Sequence, residues 1–213
     1  LMDSSRQLID QIQETLRELN IPAWLFYGFR DLDPIALRIL RFKADQLATR
    51  RWFYLIPAQG EPQKLVHRIE PAMLDHLPGS QEIYLRWEQL QDGLKGLLDG
   101  VSTVAMQFSE HNAIPYFSQV DAGTVDWVRS YNTRVVSSGD LIQRFEAVLS
   151  SEQASGHRST ALALTSIVKA AFTEAASAIS AGDDSNEWTL QQFILDRFKA
   201  AGLRTEHVPI VAV

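Results

Sequence analysis

Cysteine is absent from the 213 residues. Disulfides, thiolate metal sites and cysteine nucleophiles are therefore excluded. Phosphate-binding loops are missing too: neither G-x-x-x-x-G-K-S/T nor G-x-G-x-x-G occurs. The metalloprotease string H-E-x-x-H and the nucleophile elbow G-x-S-x-G are absent. The five histidines (His67, His76, His111, His157 and His207) include no i,i+4 pair that would form a local metal site on a helix. There is no basic excess. The formal net charge is −6, which argues against a nucleic-acid partner. No apolar run approaches the ~20 residues of a membrane span. The opening LMDSSRQLIDQIQETLRELN is too polar and acidic for a signal peptide. These features predict a cytoplasmic chain with no membrane partner.

What is present is ordinary globular material, with 46% apolar and 22% charged residues. A chain of this length buries roughly 70% of its unfolded surface without staples. Leu8, Ile9, Ile12, Leu16 and Leu19 recur at helical spacing, and Asn20 and Pro22 end that helix. AWLFY (23–27) reads as a buried strand. Asp33 before Pro34 is an N-cap followed by an N1 proline, opening a helix to about Arg41. RWFYLIP (51–57), the turn AQGEP and KLVHRI (64–69) read as a hairpin. Further strands are predicted at 82–86, 101–108 and 133–137, and helices at 71–77, 88–98, 121–131 and 140–149. The alternation indicates an α/β layer structure, and the hairpin indicates a mixed sheet.

Beyond residue 150 the pattern changes. Leu162, Leu164, Ile167, Val168, Ala171, Phe172, Ala175 and Ile179 form one apolar stripe on a helix predicted from Ser151 to Ala181. Thirty helical residues span about 45 Å, which outruns a 150-residue domain of ~15 Å radius of gyration. The helix is expected to belong to a second domain, to lie against a partner chain, or to break near Gly156. A second helix is predicted at 187–201, then a strand at PIVAV (209–213).

Two loop groupings have polar character. Asp31 and Asp33 flank the turn after Arg30, and Glu110, His111 and Asn112 follow the strand at 101–108. Each reads either as a solvated turn or as a polar rim on a ligand site.

In order along the chain, LNIPAWLFYGFRDLDPIALRIL, IPAQGEPQKLVHRIE, TVAMQFSEHNAIPYFSQVDAGTVDWV and SSGDLIQRFEAVLSSEQ resemble the opening of the prolidase, creatinase and aminopeptidase P family. The resemblance implies an α/β fold: a creatinase/prolidase-like N-terminal domain at 1–150, its mixed sheet flanked by helices. At 151–213, two helices and a strand would begin an incomplete pita-bread catalytic domain. In the family that domain holds two divalent metals (Mn, Co or Zn) through two Asp, one His and two Glu, downstream of the PIVAV-type strand. His207 precedes that strand and does not match the catalytic histidine. No catalytic residue and no metal ligand or cofactor is therefore expected in this chain, which is predicted inactive alone. The full-length parent would be a metal-dependent Xaa-Pro peptidase acting on short proline-containing peptides. By the same resemblance the N-terminal domain assembles a homodimer and covers the partner's active-site mouth. Tyr27, Phe29 and Arg30 are then the residues that face substrate, Arg30 through a bidentate pair with a peptide carboxylate. Pairing of Arg30 with Asp31 or Asp33, which would only fix the turn, stays open. So do a parent of creatinase type, cleaving a C–N bond, and a self-standing binding or assembly module.

Overall fold

The computed structural model describes residues 2–30, 32–43, 46, 48–183 and 186–212. Contacts divide the chain into two units, 1–148 and 149–213.

The first unit is built on a six-stranded sheet. Its strands are β1 (Ala23–Gly28), β2 (Trp52–Pro57), β3 (Gln63–His67), β4 (Ser80–Tyr84), β5 (Thr103–Met106) and β6 (Arg134–Ser137). The spatial order is β4-β3-β2-β1-β5-β6. Only β2 runs antiparallel to its neighbours, pairing Leu25 with Leu55 on one side and Phe53 with Leu65 on the other. The pairs β1–β5, β5–β6 and β3–β4 are parallel. The sheet is mixed and flanked by helices, as the alternation predicted.

Every residue of β1 is buried, as expected of a central strand covered on both faces. On one face Trp24, Phe26, Trp52, Tyr54 and Ile56 meet Leu8, Ile9, Ile12 and Leu16 of α1 (Met2–Glu18) and Ile35, Ala36 and Ile39 of α2 (Pro34–Ile39). On the other, Leu25, Tyr27, Phe53, Leu55 and Leu65 meet Leu90, Leu94 and Leu97 of α3 (Trp87–Leu97) and Val125 and Val128 of α4 (Ala122–Arg129). Two apolar layers thus share one sheet. At the end of β1, Gly28 is required by space: a Cβ there would lie 2.3 Å from Cε2 of the Trp52 indole.

Three predicted elements differ. Residues 71–77 are not a helix but a run of turns, with Met73 N–H donating to Glu70 C=O at 3.2 Å and Leu77 N–H to Leu74 C=O at 3.0 Å. Bracketed by Pro71 and Pro78, the segment is too short to repay helix nucleation. The helix predicted at 140–149 is α5 (Gly139–Ile142) followed by a π-helical turn at Gln143–Ala147. The strand predicted at 209–213 is not formed among its described residues. A strand needs a hydrogen-bonding neighbour, and the described residues of the second unit contain no other strand.

The second unit packs α6 (Ser151–Ala181) on α7 (Glu187–Ala200). The α6 helix is continuous through Gly156. It starts at a capping box between Ser150 and Gln153 and stops at Gly182, whose φ of 72° is the left-handed conformation glycine accepts most readily. Ile167 and Ala171 of its apolar stripe are buried, whereas Leu162, Phe172 and Ile179 stay exposed. Although no uninterrupted apolar run occurs, α6 contains an 18-residue stretch with a mean hydropathy of 1.3, long and apolar enough to cross a membrane by length and composition alone. Leu162, Leu164, Ile167, Val168, Phe172 and Ile179, with alanines between them, produce that mean, and it carries no membrane assignment by itself. The side-chain amide of Gln191 donates to the Pro209 carbonyl at 2.7 Å and ties the tail to α7.

Candidate functional site

Because β2 alone is reversed, β1, β3, β4, β5 and β6 all end at one edge of the sheet, where β2 begins. Ligands of open α/β sheets collect outside such carboxyl ends. The residues singled out in the first turn lie at this edge. Tyr27 is 5% exposed and belongs to the core, its ring 5.0 Å from that of Phe53. Phe29 is half-buried and Arg30 exposed. Arg30 holds a left-handed backbone, with φ of 52°, uncommon for a residue with a Cβ. Its N–H donates to the Ala48 carbonyl at 2.8 Å, which anchors the turn. Its guanidinium carbon lies 5.8 Å from the Phe29 ring centre. Asp31 is outside the described residues. Asp33 turns inward, 3% exposed, and accepts from the Ala36 N–H at 2.9 Å, the predicted N-cap of α2. Burial pushes its carboxyl up to about 6, against the opposing pull of the Ala36 and Ile35 amides and Arg38. Glu110, His111 and Asn112 form an exposed 3-10 turn beyond β5.

A cleft of about 240 Å³ opens beside Phe29. Arg51 enters it from the start of β2. Its guanidinium carbon lies over both Phe29, at 5.8 Å, and Trp87, at 5.4 Å. Trp87 in turn packs on Trp127 at 5.0 Å. Tyr84 closes β4, donates its hydroxyl to the Arg51 carbonyl at 2.7 Å and meets the His67 ring edge-on at 4.9 Å. Burial pushes the Tyr84 phenol up to about 12, so it stays protonated and remains a donor. His67 Nδ1 accepts the Ile69 N–H at 3.0 Å. Glu70 stands nearby. Burial opposes its ionisation, but hydrogen bonds from Thr49 and the Arg50 N–H outweigh that and hold its carboxyl below the usual range.

The sequence singled out Phe29 and Arg30, which lie at this edge, and did not single out Arg51, His67, Tyr84 and Trp87 beside them. The available signal was two doublets, Arg50-Arg51 immediately before one strand and Arg86-Trp87 one residue beyond the end of another. They meet only because those strands run in opposite directions. Among the described residues no group of three or more His, Asp or Glu is placed to hold a metal ion.

No protein-family model matches the sequence, and no curated protein does. Solved structures do. About two thirds of the chain (66%) superposes on 98% of a proline dipeptidase chain from Streptococcus pneumoniae TIGR4, at 16% identity and a TM-score of 0.50. The first unit has the creatinase/prolidase N-terminal fold. A dipeptidase from Pyrococcus horikoshii OT3 matches 91% of this chain with half (50%) of its own, at 13% identity and a TM-score of 0.51. A recombinant prolidase from Thermococcus sibiricus matches 92% with 50% of its own, at 11% identity and a TM-score of 0.50. The chain thus spans about half the length of these two archaeal proteins. The longer matches exceed what residues 1–148 can supply, so they include helices of the second unit. At these identities the likeness concerns the fold.

Proposed function

We propose that the chain is the non-catalytic N-terminal portion of an Xaa-Pro peptidase-like metallohydrolase, serving dimer assembly and substrate access. The observation that carries this reading is the match of about two thirds of the chain (66%) to 98% of a proline dipeptidase chain. In this reading residues 1–150 are the accessory domain and 151–213 open the catalytic one. The half-length matches to a dipeptidase and a prolidase support that division.

The two divalent metals of the parent (Mn, Co or Zn) would be bound by its catalytic domain, where they activate water for attack on the bond before proline. Phe29 and Arg30 would border the peptide channel of a partner subunit, with Tyr27 supporting them from the core. A cytoplasmic setting rests on the sequence alone.

Elemental analysis, turnover of Xaa-Pro dipeptides and light scattering test the proposal together. The 213-residue chain is expected to carry no stoichiometric manganese, cobalt or zinc, to leave the dipeptides intact and to scatter as a dimer. About two metals per chain with robust turnover would overturn it.

A further inference from the structure

We propose that Asp99-Gly100, in the turn between α3 and β5, is a site of spontaneous covalent modification, where the aspartate isomerises through a cyclic succinimide to an isoaspartyl linkage. The chain contains two Asp-Gly dipeptides, Asp92-Gly93 and Asp99-Gly100. In this pairing the nitrogen that follows the aspartate belongs to a residue with no Cβ to shield it and with wide conformational freedom. The sequence offers the same chemistry twice, and the fold treats the two copies oppositely.

Asp92-Gly93 lies inside α3. A helical backbone commits each N–H to the carbonyl four residues back, so the Gly93 nitrogen is already engaged. Gly93 is also buried against the sheet: a Cβ there would lie 2.6 Å from Cδ1 of Leu65. Its nitrogen cannot turn toward the Asp92 carboxyl without breaking both the helix and its packing on β3.

Asp99-Gly100 lies beyond the end of α3. The Leu98 carbonyl accepts the Val101 N–H at 3.0 Å and closes a four-residue turn with Asp99 and Gly100 at its centre. The Asp99 N–H donates to the Gly96 carbonyl at 3.2 Å. Gly100 has a φ of 72°, which glycine adopts without strain. Among the described residues the Gly100 N–H makes no hydrogen bond, and the Asp99 carboxyl makes neither a hydrogen bond nor an ion pair. Both residues are exposed, and a Cβ added at Gly100 would meet nothing within 4 Å. Asp99 lines an open groove of about 540 Å³ with Lys95, Ser102 and Asn132. The nucleophilic nitrogen, the carboxyl and solvent water therefore meet in one place.

The chemistry needs no other reactant. The Gly100 nitrogen attacks the Asp99 side-chain carboxyl carbon. A C–N bond forms, a C–O bond breaks, and one water leaves with the amide proton. Water then opens the five-membered ring. Attack on the side-chain carbonyl restores aspartate. Attack on the main-chain carbonyl leaves the chain running through the side-chain carbon, one methylene longer, with a free main-chain carboxylate and unchanged mass. Val101 and Ser102 are tied to β6 by the Thr133 hydroxyl at 3.0 Å and the Arg134 N–H at 2.9 Å. The added methylene is thus taken up within the turn, and the sheet is kept.

The test is to hold the intact chain at neutral pH and physiological temperature for several weeks, and to digest samples with trypsin. Cleavage at Lys95 separates the two dipeptides into peptides 87–95 and 96–129. Methyl transfer from S-adenosylmethionine by an isoaspartyl carboxyl methyltransferase quantifies the product, and electron-transfer fragmentation locates it. Isoaspartate should accumulate at Asp99 at least tenfold faster than at Asp92. Short synthetic peptides around the two dipeptides should isomerise within twofold of each other, because only the fold distinguishes them. Asp99→Glu keeps the charge but would have to close a six-membered ring; it should remove the signal from 96–129 at unchanged thermal stability. Equal rates at the two sites in the folded chain, no isoaspartate at Asp99, a signal that survives Asp99→Glu, or a tenfold disparity already present in the synthetic peptides would each overturn the proposal. No readout depends on peptidase activity, so the outcome is independent of the functional reading.

Discussion

Replacing Asp33 by asparagine isolates the cost of a buried charge. Asp33 caps α2 with one oxygen, Oδ1, at 2.9 Å from the Ala36 nitrogen. The other, Oδ2, has no hydrogen-bond partner among the described residues. Burial therefore raises the carboxyl to about 6, against ~4 in an unfolded chain. Between those values the folded chain holds a proton that the unfolded chain has released. The stability this provides is complete below pH ~4 and declines as pH rises through about 6. At 1.36 kcal/mol per tenfold change, the decline amounts to about 2–3 kcal/mol. Asparagine caps equally well and has no charge to desolvate. Asp33→Asn should match the wild type at pH 4 and exceed it by about 2–3 kcal/mol at pH 7. Urea unfolding at pH 4, 5, 6 and 7, followed by tryptophan fluorescence, measures both proteins. Other titrating groups cancel in the difference. A difference that stays constant with pH, or that favours the wild type as pH rises, would refute the reasoning.

The core offers two further tests. Gly28→Ala forces a methyl to within 2.3 Å of the Trp52 indole, itself stacked on Phe42 at 5.3 Å. Thermal unfolding should show a loss of about 1–3 kcal/mol. Leu94→Ala empties a fully buried position between α3 and the sheet, and chemical denaturation should show a loss of about 2–5 kcal/mol.

Helices and strands of the first unit were legible because period and caps agreed. The α1 stripe, the Asp33-Pro34 start and the RWFYLIP hairpin each combine two local signals. The segment 71–77 misled because its apolar spacing is helical while its flanking prolines limit its length. PIVAV misled because apolar, β-branched composition records a preference that only a neighbouring strand can realise. The candidate site was half legible. Phe29 and Arg30 adjoin a strand end and share a turn, so local sequence exposes them. Arg51 and Trp87 are 36 positions apart and are joined by the reversal of β2, which no local pattern announces. Asp33 was readable as a cap but not as a raised carboxyl, because its burial depends on the packing of α2.

The placement of β4 and β6 bears on how two copies can meet. Both are the outermost strands, where unpaired backbone groups invite another chain to extend the sheet. Here each is unsuited to that use. β6 is four residues long and opens on exposed Arg134. β4 presents Ser80, Gln81 and Glu82 to solvent. Helical or loop surfaces suit a contact between copies better than either edge strand does. At high concentration the first unit should stay dispersed rather than grow into ribbons.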